Sequence, residues 1–382
     1  MSKAILPNEY DRWRERRTTN AADFEYSRDV ADRRRNLSDL KIWIVIPMFR
    51  VRGAIENVLM KIPDWVEGVI AVDDKCPENS GDFVESLNYA RVAVIRHESN
   101  QGVGGAVLTG YREAIRNGAR IIVKVDGDDQ MDLRWLGPLI MPIAAGQADY
   151  TKGNRFSSVS HVKGMPALRV FGNSALSLAS KISSGYWNIF DPTNGFTAIE
   201  ARVAGEILTR QVSKRYFFES DMLYHLGSLR AVVRDIPMPA IYGAEESNLR
   251  IGRILIPFAF YHLRNSLKRF LGQYLVRNFT VATLETLFGI ALILFGAGVA
   301  ILHFATRAAP ADIASPGIVM MSALPIILGA QLLLAAINFD VLNIPTEPIH
   351  PQLHALDAFR FVAEHSHSTA ENKELSASAG HP

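Results

Sequence analysis

Four aspartates fall within eight residues in VDGDDQMD, at 125–132, directly after the apolar run ARIIVK. Like charges this close repel, and an ionised carboxylate beside a dry core is costly without a partner. A hard divalent cation answers both objections. Mg²⁺ and Mn²⁺ take oxygen ligands and bind through one or two carboxylates completed by substrate phosphates. Asp126 and Asp128, separated by one small glycine, can reach a single ion at a strand end, and Gln130 can add a neutral oxygen. Asp129 and Asp132 fit a loop position and a helix start, where acids are favoured. A solvated acidic turn is the plain alternative. A second acidic pair, Asp73 and Asp74, ends the run GVIAVDD and could accept hydrogen bonds from a nucleotide base or ribose.

Other candidates are weaker. The loop NQGVGGAVLTG (100–110) opens a helix after a strand, but its spacing is not G-x-G-x-x-G. Gly102 and Gly104 therefore either let a nucleotide approach or permit close helix–sheet packing. No Ser-His-Asp or Cys-His set is present, the ten histidines form no cluster, and His97 and His161 carry no assigned role. The single cysteine, Cys76, excludes an intramolecular disulfide and fits a reducing compartment. A formal charge of +2 gives no reason to expect nucleic acid.

The elements that position these residues follow from periodicity. KIWIVI, GVIAVDD, RVAVIR and ARIIVKVD are short β-branched runs, and the segments between them have helical spacing. This alternation predicts βαβ units and a mainly parallel sheet. Ligands bind beyond the carboxyl ends of such strands, where both acidic clusters fall. Further on, ADYTKGNRF predicts a strand and loop, 166–184 a helix, DPTNGF a turn, FFESDMLYHL a helix start and LRAVVRDIPM another strand.

Two long apolar runs set the class of the C-terminal part. The run from Thr286 to Thr306 has no formal charge, His303 aside, and in the run from Gly317 to Asn338 only Gln331 is strongly polar. Each is close to the ~20 residues that cross a hydrocarbon core. The connector RAAPADIASP is short, so the spans form a hairpin. Arg264, Lys268, Arg269 and Arg277 precede it, and the positive-inside bias places that flank, the N-terminal domain and the tail in the cytoplasm. Phe260, Leu263, Leu267, Phe270 and Tyr274 recur at helical spacing with basic neighbours, as in a helix lying in the membrane interface. The alternative is a helix packed on the soluble domain. Gly289, Gly296 and Gly298 permit close span packing, which leaves a homo-oligomer open. The domain boundaries expected are a charged extension at 1–40, a catalytic domain at 41–249 and interfacial helices at 250–279. A hairpin at 280–340 follows, with spans near 284–306 and 317–338, then a partly disordered tail at 341–382. The N-terminus has no apolar stretch of signal-peptide type.

IVIPMF (44–49), VDD (72–74), NQGVGGAV (100–107), VDGDDQMD, GNRF (153–156), DPTNGF (191–196) and FFESDML (217–223) come in one order. In that order they resemble family 2 glycosyltransferases, and within them the polyprenyl-phosphate branch that includes dolichol-phosphate mannose synthase. The resemblance covers about 41–250. It implies a GT-A type nucleotide-binding fold and an inverting, metal-dependent hexosyl transfer. The donor would be a GDP- or UDP-linked sugar and the acceptor undecaprenyl or dolichyl phosphate. By position, Pro47 and Phe49 would border the nucleotide, with Asp73, Asp74, Gly102, Gly104 and Asp126 in the same donor site. Asp126, Asp128 and Gln130 would hold Mg²⁺ or Mn²⁺. Arg155, Arg169 and Asn173 would grip the acceptor phosphate, since a guanidinium fork suits phosphate oxygens. Glu219 and Asp221 would orient donor sugar or acceptor, so the catalytic set implied is Asp128, Arg155, Glu219 and Asp221. A bacterial inner membrane, with the catalytic domain on its cytoplasmic face, is the setting expected.

Two departures stand out. Arg50 and Val51 follow Phe49 where the family often has Asn-Glu, and IYGAEESNLR (241–250) lacks the usual Asp-Arg and lysine, with Tyr242 and Asn248 in their places. Arg250 or Arg253 could restore the lost charge. A processive polysaccharide synthase shares the early motifs, but it carries a late Gln-x-x-Arg-Trp and more spans. Here the Arg134–Trp135 pair follows Gln130 at the wrong spacing. An inactive nucleotide-sugar-binding membrane protein is the non-enzymatic alternative.

Overall fold

The computed structural model describes residues 40–156, 167–239, 251–306 and 313–356, with the side chains of 167–171 and 251–255 outside that description. Seven strands form one sheet in the order β3-β2-β1-β4-β6-β5-β7. They are β1 Ile42–Met48, β2 Gly68–Asp73, β3 Val92–Arg96, β4 Ile121–Lys124, β5 Tyr150–Asn154, β6 Thr197–Glu200 and β7 Val233–Pro237. β1, β2, β3 and β4 pair in parallel, as do β5 and β7, because helical crossovers return the chain to the same edge. β6 runs antiparallel between β4 and β5. Its four residues, TAIE, are too few to show a period, and the sequence gives only the turn before it.

The α-helices include α1 Ile55–Met60, α2 Ser80–Ser86, α3 Val103–Arg116, α4 Leu136–Ala144, α5 Ala167–Ser184, α6 Ala201–Leu208, α7 Phe218–Leu229, α8 Ile251–Arg269, α9 Val281–Thr306 and α10 Pro316–Leu342. One face of the sheet packs Ile44, Ile46, Val123 and Phe196 against α1 and α4. The other packs Val45, Ile122 and Ile199 against α3, α6 and α7. This GT-A-like sandwich leaves the strand ends at Asp73 and Lys124 as the rim of the site.

α9 and α10 are long and apolar enough to cross a bilayer, and only 11% and 6% of their most apolar windows are buried. A core helix of a soluble domain would be mostly covered. These helices touch each other and present Leu294, Phe304, Ile327 and Leu334 outward, a surface that water does not tolerate and lipid does. Gly289 and Gly296 are used inside this hairpin, against Gly329 and Ser322, while a side chain at Gly298 would meet nothing within 4 Å.

α8 continues as a π-helix over Phe270–Arg277. Its amphipathicity is inverted: Ile256, Phe260, Leu263 and Leu267 are exposed, while His262 and Asn265 are buried against the α/β domain. The buried face of α8 packs on the α/β domain, as in the alternative reading, and its exposed apolar stripe lies next in the chain to the two long apolar helices. Tyr274, expected on that stripe, is buried instead, because the wider π turn shifts the phase of the residues after Arg269.

Asp340, near the end of α10, locks the hairpin to the domain. It accepts from Trp187 Nε1 at 2.7 Å and from Arg269 Nη1 at 3.1 Å, and it also bonds Arg269 Nη2 and the Tyr274 hydroxyl. Beyond the hairpin the chain returns to the α/β core. Ile344, Ile349 and Leu353 pack beneath the sheet, and the buried Asp149 carboxylate accepts from the Ile349 and His350 N–H groups and from the Val232 N–H. His354 Nε2 lies 3.0 Å from Glu200. The start of the tail, 343–356, is therefore docked as a strap, which brings it to the same side of the hairpin as the α/β domain. Residues 1–39 and 357–382 lie outside the described residues.

Candidate active site

Asp126 and Asp128 follow β4 immediately. Asp126 is half-buried, and its Oδ1 lies 2.9 Å from Lys124 Nζ. Asp128 is exposed and accepts from the Gln130 N–H at 3.1 Å, while the Gln130 side chain is exposed. Asp129 sits at φ 60° and pairs with Lys61 at 2.6 Å, and Asp132 caps a short 3₁₀ turn through the Arg134 N–H. Asp129 is thus a loop residue and Asp132 a cap, while Asp126 and Asp128 lie just past the strand end. Asp126, Asp128 and the Gln130 amide are all hard oxygen donors, a set that fits Mg²⁺ or Mn²⁺.

Lys124, the last residue of β4, went unassigned in the sequence. It is 1% exposed, and its ammonium bridges Asp126 and Glu219, at 2.9 and 3.1 Å. Burial opposes its charge, but the two carboxylates outweigh that and hold it protonated above the ordinary lysine range. The register aligns Lys124, Thr197, Lys152 and Asp235 in one row across β4, β6, β5 and β7. Lys152 is fully buried, donates to the Asn194 carbonyl and has no ion-pair partner among the described residues. Burial pushes it down to about 8, against the pull of Asp191, Glu219 and Asp235. Burial likewise pushes Asp235 up to about 6. The one available signal was a lysine within each of two strand-forming stretches, because lysine is almost never fully buried unpaired.

The turn DPTNGF arches over this row. Asp191, 1% exposed, holds Arg155 bidentately through Nε at 2.8 Å and Nη2 at 3.0 Å. Asn194 Oδ1 accepts from the Phe196 N–H, and Gly195 lies so close that a Cβ there would be 2.5 Å from both Asp126 Oδ2 and Lys124 Nζ. Glycine is needed at 195 for contact. Arg155 is thus aimed by Asp191 at the end of β5. Asn173 lies half-buried on α5, one turn beyond Arg169, whose side chain is outside the described residues, as are Arg250 and the side chain of Arg253.

At the end of β1, Phe49 is exposed with the Arg50 guanidinium 5.6 Å from its ring centroid, and Pro47 lies in β1 opposite Val72. Asp73 and Asp74 are buried and bonded to their own fold. Asp73 accepts from the Cys76 and Gly81 N–H groups, each at 2.7 Å. Asp74 accepts from the Gln101 and Gly102 N–H groups and bonds His97 Nδ1 at 2.7 Å. His97, without a role in the sequence, therefore orients the carboxylate that pins the glycine loop. Gly102 adopts φ 89°, and Gly104 packs under Ser213 and Phe218, so both glycines are engaged in packing.

Glu219 stands in the first turn of α7, and Asp221 points the other way. Asp221 accepts from the Ser213 N–H and from Asn265 Nδ2, each at 2.7 Å, and so ties α7 to α8. Burial alone would raise its carboxyl, but the bonds from His225, Asn265 and Ser213 outweigh burial and lower it.

Residues 43–208 match the sequence profile of glycosyl transferase family 2. The chain contains a family 2 glycosyltransferase domain. Three of its relatives carry names of one kind. The UDP-N-acetylglucosamine–dolichyl-phosphate N-acetylglucosaminyltransferase of Methanococcus voltae is 28% identical over 242 residues, covering 59% of this chain and 95% of that protein. The undecaprenyl-phosphate mannosyltransferase of Micrococcus luteus is 26% identical, over 52% of this chain and 83% of that one. The polyprenol monophosphomannose synthase of Mycolicibacterium smegmatis is 26% identical, over 51% and 75%. Among solved structures, glucosyl-3-phosphoglycerate synthase of Mycobacterium tuberculosis is a distant likeness, with TM-score 0.46 and 17% identity over 62% of this chain and 83% of that one.

Proposed function

We propose that this glycosyltransferase moves a sugar from a GDP- or UDP-linked donor to a polyprenyl phosphate, with inversion and with a divalent metal at Asp126, Asp128 and Gln130. The observation that carries the reading is a chain of contacts from rim to membrane. Asp126 pairs with Lys124, Lys124 with Glu219 on α7, and Asp221 of α7 with Asn265 on the interfacial α8. A soluble donor and a membrane-held phosphate can meet only at such a place. The acceptors in the names of the three relatives support it.

An acceptor phosphate monoester has a second pKa of about 6, so near neutrality it is already a nucleophile and needs no general base. A phosphate oxygen bonds the anomeric carbon as the bond from that carbon to the diphosphate oxygen breaks, and the nucleoside diphosphate departs. The metal, when bound, neutralises the diphosphate and acts as Lewis acid. Arg155, aimed by Asp191, pairs with the acceptor phosphate and, with Arg169 and Asn173, positions it. Phe49 and Pro47 border the base. Asp73 and Asp74 shape the donor site by pinning its loops. The basic flank of the hairpin favours a cytoplasmic catalytic face.

The test incubates the purified chain with labelled UDP- and GDP-sugars, Mg²⁺ or Mn²⁺, and undecaprenyl or dolichyl phosphate. Label in a lipid-phosphate product supports the reading, a growing polymer selects a processive synthase, and nucleotide binding without turnover selects an inactive binder. Asp128→Asn should abolish metal-dependent turnover and leave membrane insertion intact.

A further inference from the structure

We infer that Lys124 is a built-in counter-ion that makes divalent-metal binding at Asp126 and Asp128 conditional on the nucleotide diphosphate. The inference rests on the metal reading above and adds a positioning residue to it. The Lys124 ammonium lies 2.9 Å from Asp126 and 3.1 Å from Glu219, its side chain is 2% exposed, and its stem is fixed within β4. Gly195 closes over it, so it has no open side to swing into. An incoming cation therefore meets a positive charge already seated on Asp126. No group of three metal-ligating side chains is assembled among the described residues. Two carboxylates, one of them shared with an ammonium, hold a hydrated divalent ion weakly. Diphosphate oxygens supply the ligands and negative charge that tip the balance, as Mg²⁺ sites completed by substrate phosphates require. Glu219 is the second half of the device. It shares the ammonium, and without Lys124 it would stand beside Asp126 as a further bare carboxylate.

Mn²⁺ binding to the full chain in detergent, read by electron paramagnetic resonance with and without UDP or GDP, tests this without turnover. The wild type is expected to bind Mn²⁺ at least about tenfold more tightly with a nucleoside diphosphate than alone, given like-charge repulsion at Asp126. Lys124→Met should bind Mn²⁺ alone at least about tenfold more tightly than the wild type, and its dependence on nucleotide should shrink. A folded Lys124→Met with wild-type affinity for Mn²⁺ alone overturns the inference. So does a wild type that binds Mn²⁺ equally well with and without nucleotide. Glu219→Gln leaves the ammonium to Asp126 alone and should weaken nucleotide-assisted binding, and unchanged binding there counts against the inference even if Lys124→Met does not fold. A wild type that binds no Mn²⁺ under either condition removes the metal reading itself. Metal binding with the wrong response at Lys124 removes only the counter-ion.

Discussion

Gly195→Ala adds a single methyl group at the most crowded point of the site. The new Cβ would stand 2.5 Å from Asp126 Oδ2 and 2.5 Å from Lys124 Nζ, where ordinary contact is 3.4–4 Å. Both crowded atoms are side-chain ends, and both are engaged in the ion pair between Lys124 and Asp126. Lys124 is buried and clamped by two carboxylates, and the turn is tied down by Asn194 to Lys152 and by Asp191 to Arg155. Asp126, the half-buried partner, is the group that moves, by about 1 Å, the difference between the clash and a normal contact. Overpacking of this kind costs about 1–3 kcal/mol of stability. The loss of activity should be larger in proportion, because a misplacement of about 1 Å in a reacting constellation costs about a hundredfold. The assay is transfer of labelled sugar to polyprenyl phosphate at saturating donor, beside thermal unfolding in detergent. Gly205→Ala in α6 is the control: a Cβ there meets nothing within 4 Å, so activity should hold and the helix should gain up to about 1 kcal/mol. Turnover by Gly195→Ala within about threefold of wild type, with an unchanged melting temperature, would falsify the claim that this contact sets Asp126.

Other perturbations test the supports of the site. His262 is pushed by burial down to about 4 from an ordinary 6.5, so the folded chain binds fewer protons than the unfolded one between those values. Stability from this group is complete above pH 6.5 and falls, by up to about 3 kcal/mol, as pH drops toward 4. His262→Gln should flatten that part of the pH–melting profile, and an identical slope would contradict the assignment. Ending the chain after Asn343 strips Asp149 of the Ile349 and His350 N–H bonds, so a drop of about 3 kcal/mol or more in unfolding free energy is expected, and an unshifted melt would show that the strap is not docked. Asp340→Asn breaks the lock between hairpin and domain, at about 3–5 kcal/mol for a broken buried pair. Limited proteolysis should then cut near 185–190 faster than in the wild type, and equal rates would argue against the lock.

Much of this molecule is written locally. Six of the seven strands are β-branched runs, or lie within the strand stretches the sequence marks, and the spans declare themselves by length alone. The division of VDGDDQMD into two rim acids, a loop acid and a cap needs only neighbours two residues away. Those features depend on periodicity, run length and adjacent backbone, which a linear sequence carries. The family 2 motifs add their order.

The decisive pairings are of another kind. Lys124 meets Glu219 across 95 residues, and Asp149 meets Ile349 across 200. Nothing adjacent to any of them distinguishes a clamped lysine from a solvated one, or a docked tail from a loose one. Asp73 and Asp74 have the composition of nucleotide ligands, yet their oxygens are taken by N–H groups that only the folded loops deliver. The sequence by itself determined which residues carry charge and where the long apolar helices and all strands but β6 fall. Tertiary structure alone decided which charges are paired, because a buried ion is tolerable only with its partner in place, and that partner is supplied by a distant part of the chain.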